Sequence, residues 1–276
     1  MKYEIKTAGE QLAYFIQDRI LDRAAWNRLT DVLTCTGRSD ALCDFFHQVT
    51  VINLTCRIVA AGTSLLRAAA SRPARSLQDS GFEKEFLDFL RERLFVGQSL
   101  SSDLLRNALR AVESTQRDPT PKQRNTFKCW ADREHRRCYL CGVSLDFTEQ
   151  DPVRKFTLDH IWPQRFGGDS IEDNWLPACG SCNSRKKRDF ATWAMPNVQS
   201  LILGFDPSES EYGAVEGSQR FALHQLAAKK LASQRNMSLK RAYVLLGPWE
   251  SLRLIDAGDT GDFFNLAIHR VTLEVF

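Results

Sequence analysis

Two pairs of cysteines constrain the fold of this chain more than any other feature of its sequence. Cys138 and Cys141 form the first C-x-x-C pair, Cys179 and Cys182 form the second, and 37 residues separate the pairs. Four thiolates satisfy the tetrahedral preference of Zn²⁺, and each pair supplies two ligands from one tight turn. We therefore expect a structural zinc ion that joins the two ends of one small module. The alternative is four unrelated buried cysteines.

The residues between the two pairs predict the order strand, loop, strand, helix. Phe156–Trp162 alternates between apolar and polar side chains, and Asn174–Ala178 has the composition of a second strand. Gly167 and Gly168 are typical of a turn between the two strands. From about Ser181 onward, the sequence CNSRKKRDFATWA predicts a helix. Because four cysteines leave no open position on the zinc, any catalytic group must lie among these other residues.

Four polar residues occupy fixed places on this predicted framework: Asp159, His160, Asn174 and, directly after the second cysteine pair, Asn183. The pattern around the last of these is C-x-x-C-N-x-x-K, which ends at Lys186. This combination resembles the HNH endonuclease family, which has a ββα-metal fold. It is similar in particular to the members of that family that carry four zinc cysteines.

The resemblance implies a role for each of these residues. Asp159 and Asn183 would bind the catalytic divalent metal, and His160 would be the general base. Asn174 would hold the loop that carries the histidine, and Lys186 would face the scissile phosphate. Where the family name has its last histidine this chain has Asn183, and an oxygen ligand there implies a weaker site suited to Mg²⁺ or Mn²⁺.

The chemistry of phosphodiester hydrolysis supports the same assignment. A neutral imidazole can activate water near neutral pH, and a hard cation stabilises the charge on the leaving oxygen. A buried histidine satisfied by hydrogen bonds is the alternative for His160. Adjacent residues on a regular strand face opposite ways. If Asp159 and His160 serve one site, we expect the strand to bend there, and Pro163 is consistent with a bend.

The net charge of the chain is only +3, which does not by itself indicate nucleic acid. The excess of positive charge lies in residues 122–190, which contain 13 basic and 10 acidic side chains. We expect the run Arg185, Lys186, Lys187 and Arg188 to contact DNA, although a solvated surface is the alternative for such a run. RNA, including tRNA, stays open as a substrate. A zinc module that binds nucleic acid without cutting it is the alternative to a nuclease.

The sequence divides into three parts, and the predicted fold class is α+β. Residues 1–118 show helical spacing of apolar residues, which predicts a helical domain. By analogy with antiviral-defence systems that use HNH effectors, we expect this domain to dock a partner or to self-associate. Residues 122–196 would form the HNH nuclease domain with its structural zinc. Residues 197–276 predict a small α+β extension, with strands at 251–256 and 263–275.

Local patterns predict finer features of these parts. The polar stretches 114–125 and 206–218 predict linkers. Helices are expected over 82–94 and 104–112, and a single helix is expected over 12–33. Four tryptophans lie near the zinc cysteines in the sequence: Trp130, Trp162, Trp175 and Trp193. We expect them to form a thin core, and stacking on bases is the alternative.

The cellular setting can also be predicted. The N-terminus lacks the pattern of a signal peptide, and no run of eighteen apolar residues occurs, so a cytoplasmic protein without a membrane span is expected. Cys35, Cys43 and Cys56 would then be buried free thiols. Because a free nuclease would damage the DNA of its host, we expect restraint by an ATPase, a sensor or self-association. Antiviral-defence systems that use HNH effectors provide the analogy.

Overall fold

The computed structural model describes residues 3–32, 40–70, 80–94, 96–191, 221 and 224–249. The N-terminal part of the chain is mainly helical, as expected. The helices in this part are α1 (Ala8–Phe15), α2 (Arg23–Val32), α3 (Asp40–Ala70), α4 (Ser80–Leu94) and α5 (Gln98–Ser114).

The core of the helical part forms where α3, α4 and α5 pack together. Phe82, Phe86 and Leu90 recur every four residues on α4 and are fully buried, as are Leu104 and Ala108 on α5. This spacing places each set on one face of its helix, so the helices predicted from it over 82–94 and 104–112 are present.

The helix predicted over 12–33 is interrupted. The α-helix α1 ends at Phe15, a π-helical turn follows at Ile16–Ile20, and Leu21 leaves the helical conformation. The side chain of Asp22 accepts a hydrogen bond from the backbone N–H of Ala25. An aspartate in this position caps a new helix, which is why α2 starts there.

The start of α1 contains a buried carboxylate. Glu10 accepts hydrogen bonds from the backbone and the hydroxyl of Thr7, and Thr7 in turn caps the amide of Glu10. This reciprocal pair is a capping box, and Glu10 is only 3% exposed. Because burial disfavours the charged form, the pKa of Glu10 rises from 4.5 to about 7.

The longest helix, α3, contains a segment, His47–Ala68, that could cross a membrane by length and composition. Half of that segment is buried inside the protein. Core helices of soluble proteins meet the same two criteria, so this observation does not place the helix in a membrane.

The middle of the chain forms the predicted strand–loop–strand–helix unit. Strands β1 (Phe156–His160) and β2 (Trp175–Cys179) pair antiparallel, and helix α7 (Gly180–Asp189) follows directly. An additional helix, α6 (Pro121–Arg133), precedes the unit and begins inside the stretch 114–125, where a linker was expected. A capping box formed by Thr120 and the third helical residue begins α6, and a proline at its first position favours the helical conformation.

The C-terminal part packs back onto the middle of the chain. Residues 224–235 are helical, and a further helix, α8, covers Leu239–Leu246. Tyr243 of α8 lies edge-on against Tyr139, with ring centroids 5.3 Å apart, and the backbone N–H of Trp249 donates to the carbonyl of Leu140. The linker expected at 206–218 and the strands expected at 251–256 and 263–275 lie outside the described residues.

Candidate active site

The four predicted zinc ligands lie together. The sulfur atoms of Cys138, Cys141, Cys179 and Cys182 all lie within 4.8 Å of one another. A tetrahedral site with Zn–S bonds of about 2.3 Å has sulfur–sulfur edges of about 3.8 Å, and the distance from the sulfur of Cys141 to that of Cys179 is 3.8 Å. The donor set and its geometry therefore fit a four-cysteine zinc site.

Local backbone structure forms each half of this cluster. In the first pair, the N–H of Gly142 donates to the carbonyl of Cys138, and Gly142 has a positive φ of 71°, which glycine adopts without strain. In the second pair, Cys179 is both the last residue of β2 and the N-cap of α7. The backbone N–H of Cys182 donates to the sulfur of Cys179 at 3.4 Å, which stabilises the thiolate that zinc requires.

The cysteine cluster and His160 lie at opposite ends of the hairpin, whereas Asn183 directly follows the cluster residue Cys182. Cys179 pairs with Phe156 at one end of the β1–β2 ladder, and His160 pairs with Trp175 at the other. Five residues of strand separate the ends by roughly 13 Å, at about 3.3 Å per residue. A zinc ion bound by the cluster would therefore fix the hairpin without touching His160.

Asp159 lies in the interior at the centre of a polar group. It is 4% exposed, and its Oδ2 atom accepts a hydrogen bond of 2.7 Å from the hydroxyl of Tyr139 and one of 2.5 Å from the ammonium of Lys186. The two donors hold one carboxylate oxygen in a fixed position. Within the described part of the chain, Oδ1 is the oxygen left to meet a cation.

The cation run indicated a surface position for Lys186, but its side chain lies in the interior. Its side chain is 1% exposed, and its ammonium also donates to the backbone carbonyl of His160 at 2.5 Å. Burial lowers the pKa of Lys186, while the carboxylate of Asp159 opposes that shift. Lys186 therefore does not share the solvent-facing surface of the helix with Lys187.

The other cations of that run differ among themselves. Lys187 is exposed and Arg185 is partly buried, so both reach the surface of α7. The side chain of Arg188 lies outside the described residues.

Asn183 lies one turn before Lys186 on α7, and its side chain is also in the interior. It is 4% exposed, and its Oδ1 atom has no hydrogen-bond donor among the described residues. A buried carbonyl oxygen without a donor costs about 1–3 kcal/mol. A hard divalent cation would offset that cost, because amide and carboxylate oxygens are the ligands it prefers. The donor chemistry of Asp159 and Asn183 thus suits a divalent metal.

His160 has a hydrogen-bond partner that fixes its orientation. Its Nε2 atom lies 3.1 Å from the hydroxyl of Ser170, and that hydroxyl donates to the carbonyl of Arg117 at 2.5 Å. Because the hydroxyl hydrogen is used on Arg117, Ser170 must accept from His160, so the hydrogen of the neutral ring lies on Nε2. The Nδ1 atom then carries the free lone pair that a general base needs.

The surroundings of His160 keep its ring neutral. Its pKa falls from 6.5 to about 4, chiefly because the ring is largely buried. The adjacent carboxylate of Asp159 opposes this effect, and the charges of Lys186 and Arg124 add to it. At neutral pH the imidazole is therefore an unprotonated base.

The expected bend between Asp159 and His160 is not present. The β1–β2 ladder is regular through both residues, with Asp159 opposite Leu176 and His160 opposite Trp175. The two side chains consequently have separate partners. The group around Asp159 reaches His160 through the histidine carbonyl, which binds the ammonium of Lys186.

Asn174 holds the loop that joins the two strands. It is 2% exposed, its Oδ1 accepts from the N–H of Trp162, and its Nδ2 donates to the carbonyls of Trp162 and Asp169. The turn beside it requires glycine, because a Cβ on Gly168 would lie 1.7 Å from the carbonyl oxygen of Trp162. A carboxamide matches one N–H and two carbonyls at once, so this position needs asparagine.

The helical part of the chain also contacts this loop. Asp169 accepts hydrogen bonds from the backbone N–H of Ala8 at 2.7 Å and from the hydroxyl of Ser114 at 2.6 Å. The N–H of Gly9 donates to the carbonyl of Gly167 at 2.8 Å. The start of α1 and the end of α5 therefore both hold the loop that carries the partner of His160.

Three participants at this site were not predicted: Tyr139, Ser170 and the carbonyl of Arg117. Tyr139 lies between the cysteines of the first zinc pair, and that position is the one hint the sequence offers. Ser170 and Arg117 lie 53 positions apart, and nothing in the sequence around either residue indicates that they meet beside His160.

A comparison with known families agrees with this geometry. Residues 138–189 match the family model described as HNH endonuclease. The match begins at the first zinc cysteine and ends at the last residue of α7, so it contains the whole zinc cluster and both strands. No curated protein and no solved structure matches the chain.

Proposed function

We propose that the HNH endonuclease domain at residues 138–189 hydrolyses phosphodiester bonds of DNA, with one divalent metal ion and with His160 as the general base. The observation that supports this most directly is the state of the His160 ring. It is neutral at physiological pH, its Nε2–H is bound by Ser170, and its Nδ1 is free to take a proton from water. A base positioned in this way contributes about 10²- to 10⁴-fold to a rate.

The metal would be held by oxygen atoms of Asp159 and Asn183. We assign Mg²⁺ or Mn²⁺, because both favour oxygen ligands and one carboxylate suits an ion that keeps several waters. When bound, the ion supplies positive charge that stabilises the leaving oxygen. Tyr139 and Lys186 would orient the carboxylate by fixing its Oδ2 atom, and partners of this kind tune a metal site.

Contacts with the substrate are assigned to the surface cations of α7. Lys187 is exposed, Arg185 is partly exposed, and Arg188 follows them in the sequence. Such cations contact phosphates and make binding depend on salt. Lys186 would act from inside the protein, through Asp159, rather than on the phosphate as the sequence indicated.

The deciding experiment compares two histidine variants of the same module. We expect His160→Ala to lower Mg²⁺-dependent cleavage of a labelled DNA by at least 100-fold. His135→Ala, at an exposed residue that lies outside the polar group, should cut as the unaltered protein does. Both variants should retain zinc. Equal cleavage by the His160 variant would remove the assignment of the base.

The substrate is tested in the same assay. Duplex DNA, single-stranded DNA, RNA and tRNA are compared with Mg²⁺ and with Mn²⁺. Preferential cutting of tRNA would replace DNA as the substrate, and tight binding without cleavage of any of them would favour a non-catalytic zinc module.

We further propose that the protein is a regulated effector of bacterial defence against phages that acts in the cytoplasm. This proposal rests on analogy and on the hydrogen bonds that join the helical part to the loop beside His160. A monomer that cuts any duplex at full rate without a partner would contradict the regulated role.

A further inference from the structure

A groove of about 700 Å³ lies beside the active site, between α6 and the end of the hairpin. Its lining includes Lys122, Asn125, Cys129, Trp130, Arg133 and Trp175. It is thus built from aromatic rings, amides and cations rather than from aliphatic side chains. None of these residues has a role in the hydrolysis described above.

A row of aromatic rings connects this groove to His160. The rings of Trp130 and Phe127 have centroids 5.2 Å apart, and those of Phe127 and Trp175 are 5.9 Å apart. Trp175 in turn lies edge-on against His160 at 6.3 Å. Trp130 is the partly exposed ring of this row, and the guanidinium carbon of Arg136 lies 5.0 Å from the centroid of that ring, so a ligand stacked on Trp130 would take the place of Arg136.

The charges in the groove suit a polyanion. Lys122 and Arg133 line it, against one acidic lining residue, Glu172. The side chain of Arg133 is 75% exposed, and its Nε atom lies 3.6 Å from the carboxylate of the neighbouring Glu134 at the protein surface. Two cations therefore line the groove against one carboxylate.

One buried polar atom in the groove wall has no partner. Trp175 is 4% exposed, and its indole N–H has no acceptor among the described residues. A buried N–H without an acceptor is costly, and indole nitrogens usually find one when buried. Because this nitrogen is itself buried, a ligand in the groove could supply the acceptor only if the indole ring shifted toward the groove.

We propose that this groove binds an unstacked nucleobase of the substrate strand, next to the scissile phosphate, so that the enzyme acts on single-stranded or locally unpaired nucleic acid. This inference rests on the proposed nuclease function. In an intact duplex both faces of a base are covered by its neighbours, whereas a free base can stack on an aromatic side chain. Stacking of this kind is tolerant of sequence, because every base has a π-face.

The first test measures binding of a fluorescein-labelled oligothymidine of twelve nucleotides without added Mg²⁺ or Mn²⁺. Trp130→Ala should weaken binding about tenfold, which corresponds to ~1.4 kcal/mol and lies within the range for one stacked base. Trp130→Phe keeps a ring and should bind within about twofold of the unaltered protein.

The charge in the groove is tested in the same assay. Arg133→Ala should reduce the slope of log affinity against log salt by about 0.7, the value for one phosphate contact on a single strand. Arg106→Ala, which removes an exposed arginine of α5, is the matched control and should leave that slope unchanged. An equal effect of both arginine variants would contradict a role for the groove.

The second test needs no variant, because Cys129 is an exposed free thiol in the groove wall. Its alkylation by iodoacetamide is followed by mass spectrometry of the peptide that contains it. Oligothymidine at ten times its Kd should slow this alkylation about tenfold, since about one protein in eleven stays unbound. A twelve-base-pair duplex should protect Cys129 much less.

The outcomes separate this inference from the nuclease assignment. If His160→Ala abolishes cleavage but oligothymidine neither protects Cys129 nor depends on Trp130, the groove inference is overturned and the nuclease stands. If oligothymidine protects Cys129 and nothing is cleaved, the groove binds the strand and the nuclease fails. Equal protection by the duplex would overturn the assignment to an unstacked base.

Discussion

Replacement of Lys186 by methionine tests whether the ion pair inside the site is as buried as the structure shows. The two side chains are 1% and 5% exposed, and the ammonium lies 2.5 Å from the carboxylate of Asp159. Methionine fills a similar volume but leaves the carboxylate with one hydrogen-bond donor, Tyr139, and no positive charge. Removal of one partner from a buried pair costs about 3–5 kcal/mol, because the remaining charge is uncompensated.

The effect is measured by urea denaturation followed by tryptophan fluorescence, on proteins with equal zinc content. Lys186→Met should lower the free energy of unfolding by about 3–5 kcal/mol, and the melting temperature by roughly 10 °C. Lys187→Met is the matched control, because it removes the neighbouring exposed cation and should change stability by less than about 0.5 kcal/mol.

A double variant separates the charge from the loss of packing. Asp159→Asn combined with Lys186→Met leaves no buried charge, so it should be more stable than the lysine variant alone. If Lys186→Met is no more destabilising than Lys187→Met, or if the double variant is the least stable protein, the buried ion pair cannot be what organises this site.

Three further predictions concern other parts of the molecule. Ser170→Ala removes the acceptor for the Nε2–H of His160 and should lower kcat about tenfold with KM unchanged, which corresponds to the loss of one uncharged hydrogen bond. Ser170→Thr keeps a hydroxyl and should restore kcat. A change confined to KM would contradict the positioning role. Glu10, with its pKa raised to about 7, keeps its proton in the folded state but loses it in the unfolded state between pH 4.5 and 7. Stability from this group is therefore complete below about pH 4.5 and falls by ~3 kcal/mol as the pH rises to 7, and Glu10→Gln should remove that slope from denaturation curves measured across this range. Cys179→Ser should abolish zinc binding and folding of the module as measured by zinc content and circular dichroism, whereas Cys129→Ser, at an exposed thiol outside the cluster, should preserve both.

The parts of the structure that the sequence predicted are those that depend on local pattern. Cysteine spacing predicted the cluster of four sulfurs, because a C-x-x-C pair leaves little choice of geometry. Apolar periodicity predicted α4 and α5, and strand alternation followed by a glycine turn predicted the hairpin. Apart from the meeting of the two cysteine pairs, which 37 residues separate, each of these signals lies within a few residues of the feature that it predicts.

Contacts between distant residues could not be predicted in the same way. The residues Tyr139 and Lys186 are 47 positions apart, and their meeting at Asp159 depends on how α7 packs against β1. The charge of Lys186 favoured a surface position, since lysine is almost never fully buried unless it is paired. Its partner was visible in the sequence only as a proposed metal ligand.

The linker predicted at 114–125 shows a second limit of prediction from sequence. Polar composition and two prolines indicated a loop, but Pro121 occupies the first position of α6, where proline favours a helix. The helix contributes Phe127 to the core against Trp175 and leaves its polar face to solvent. The helix is mostly polar because only one narrow face of it packs against the core, not because this stretch lacks structure.

Hydrogen bonds around the strand-connecting loop join the helical part of the chain to His160. Ser170, which holds the His160 ring, is itself held by the carbonyl of Arg117, three residues beyond the end of α5. The adjacent Asp169 is bound by Ser114 from α5 and by the first amide of α1. A displacement of α5 of about 1 Å would exceed the tolerance of hydrogen bonds at these distances. The orientation of the base is therefore coupled to the packing of helices that contribute no catalytic side chain, and this coupling is a physical route by which a partner on the helical part would control cleavage.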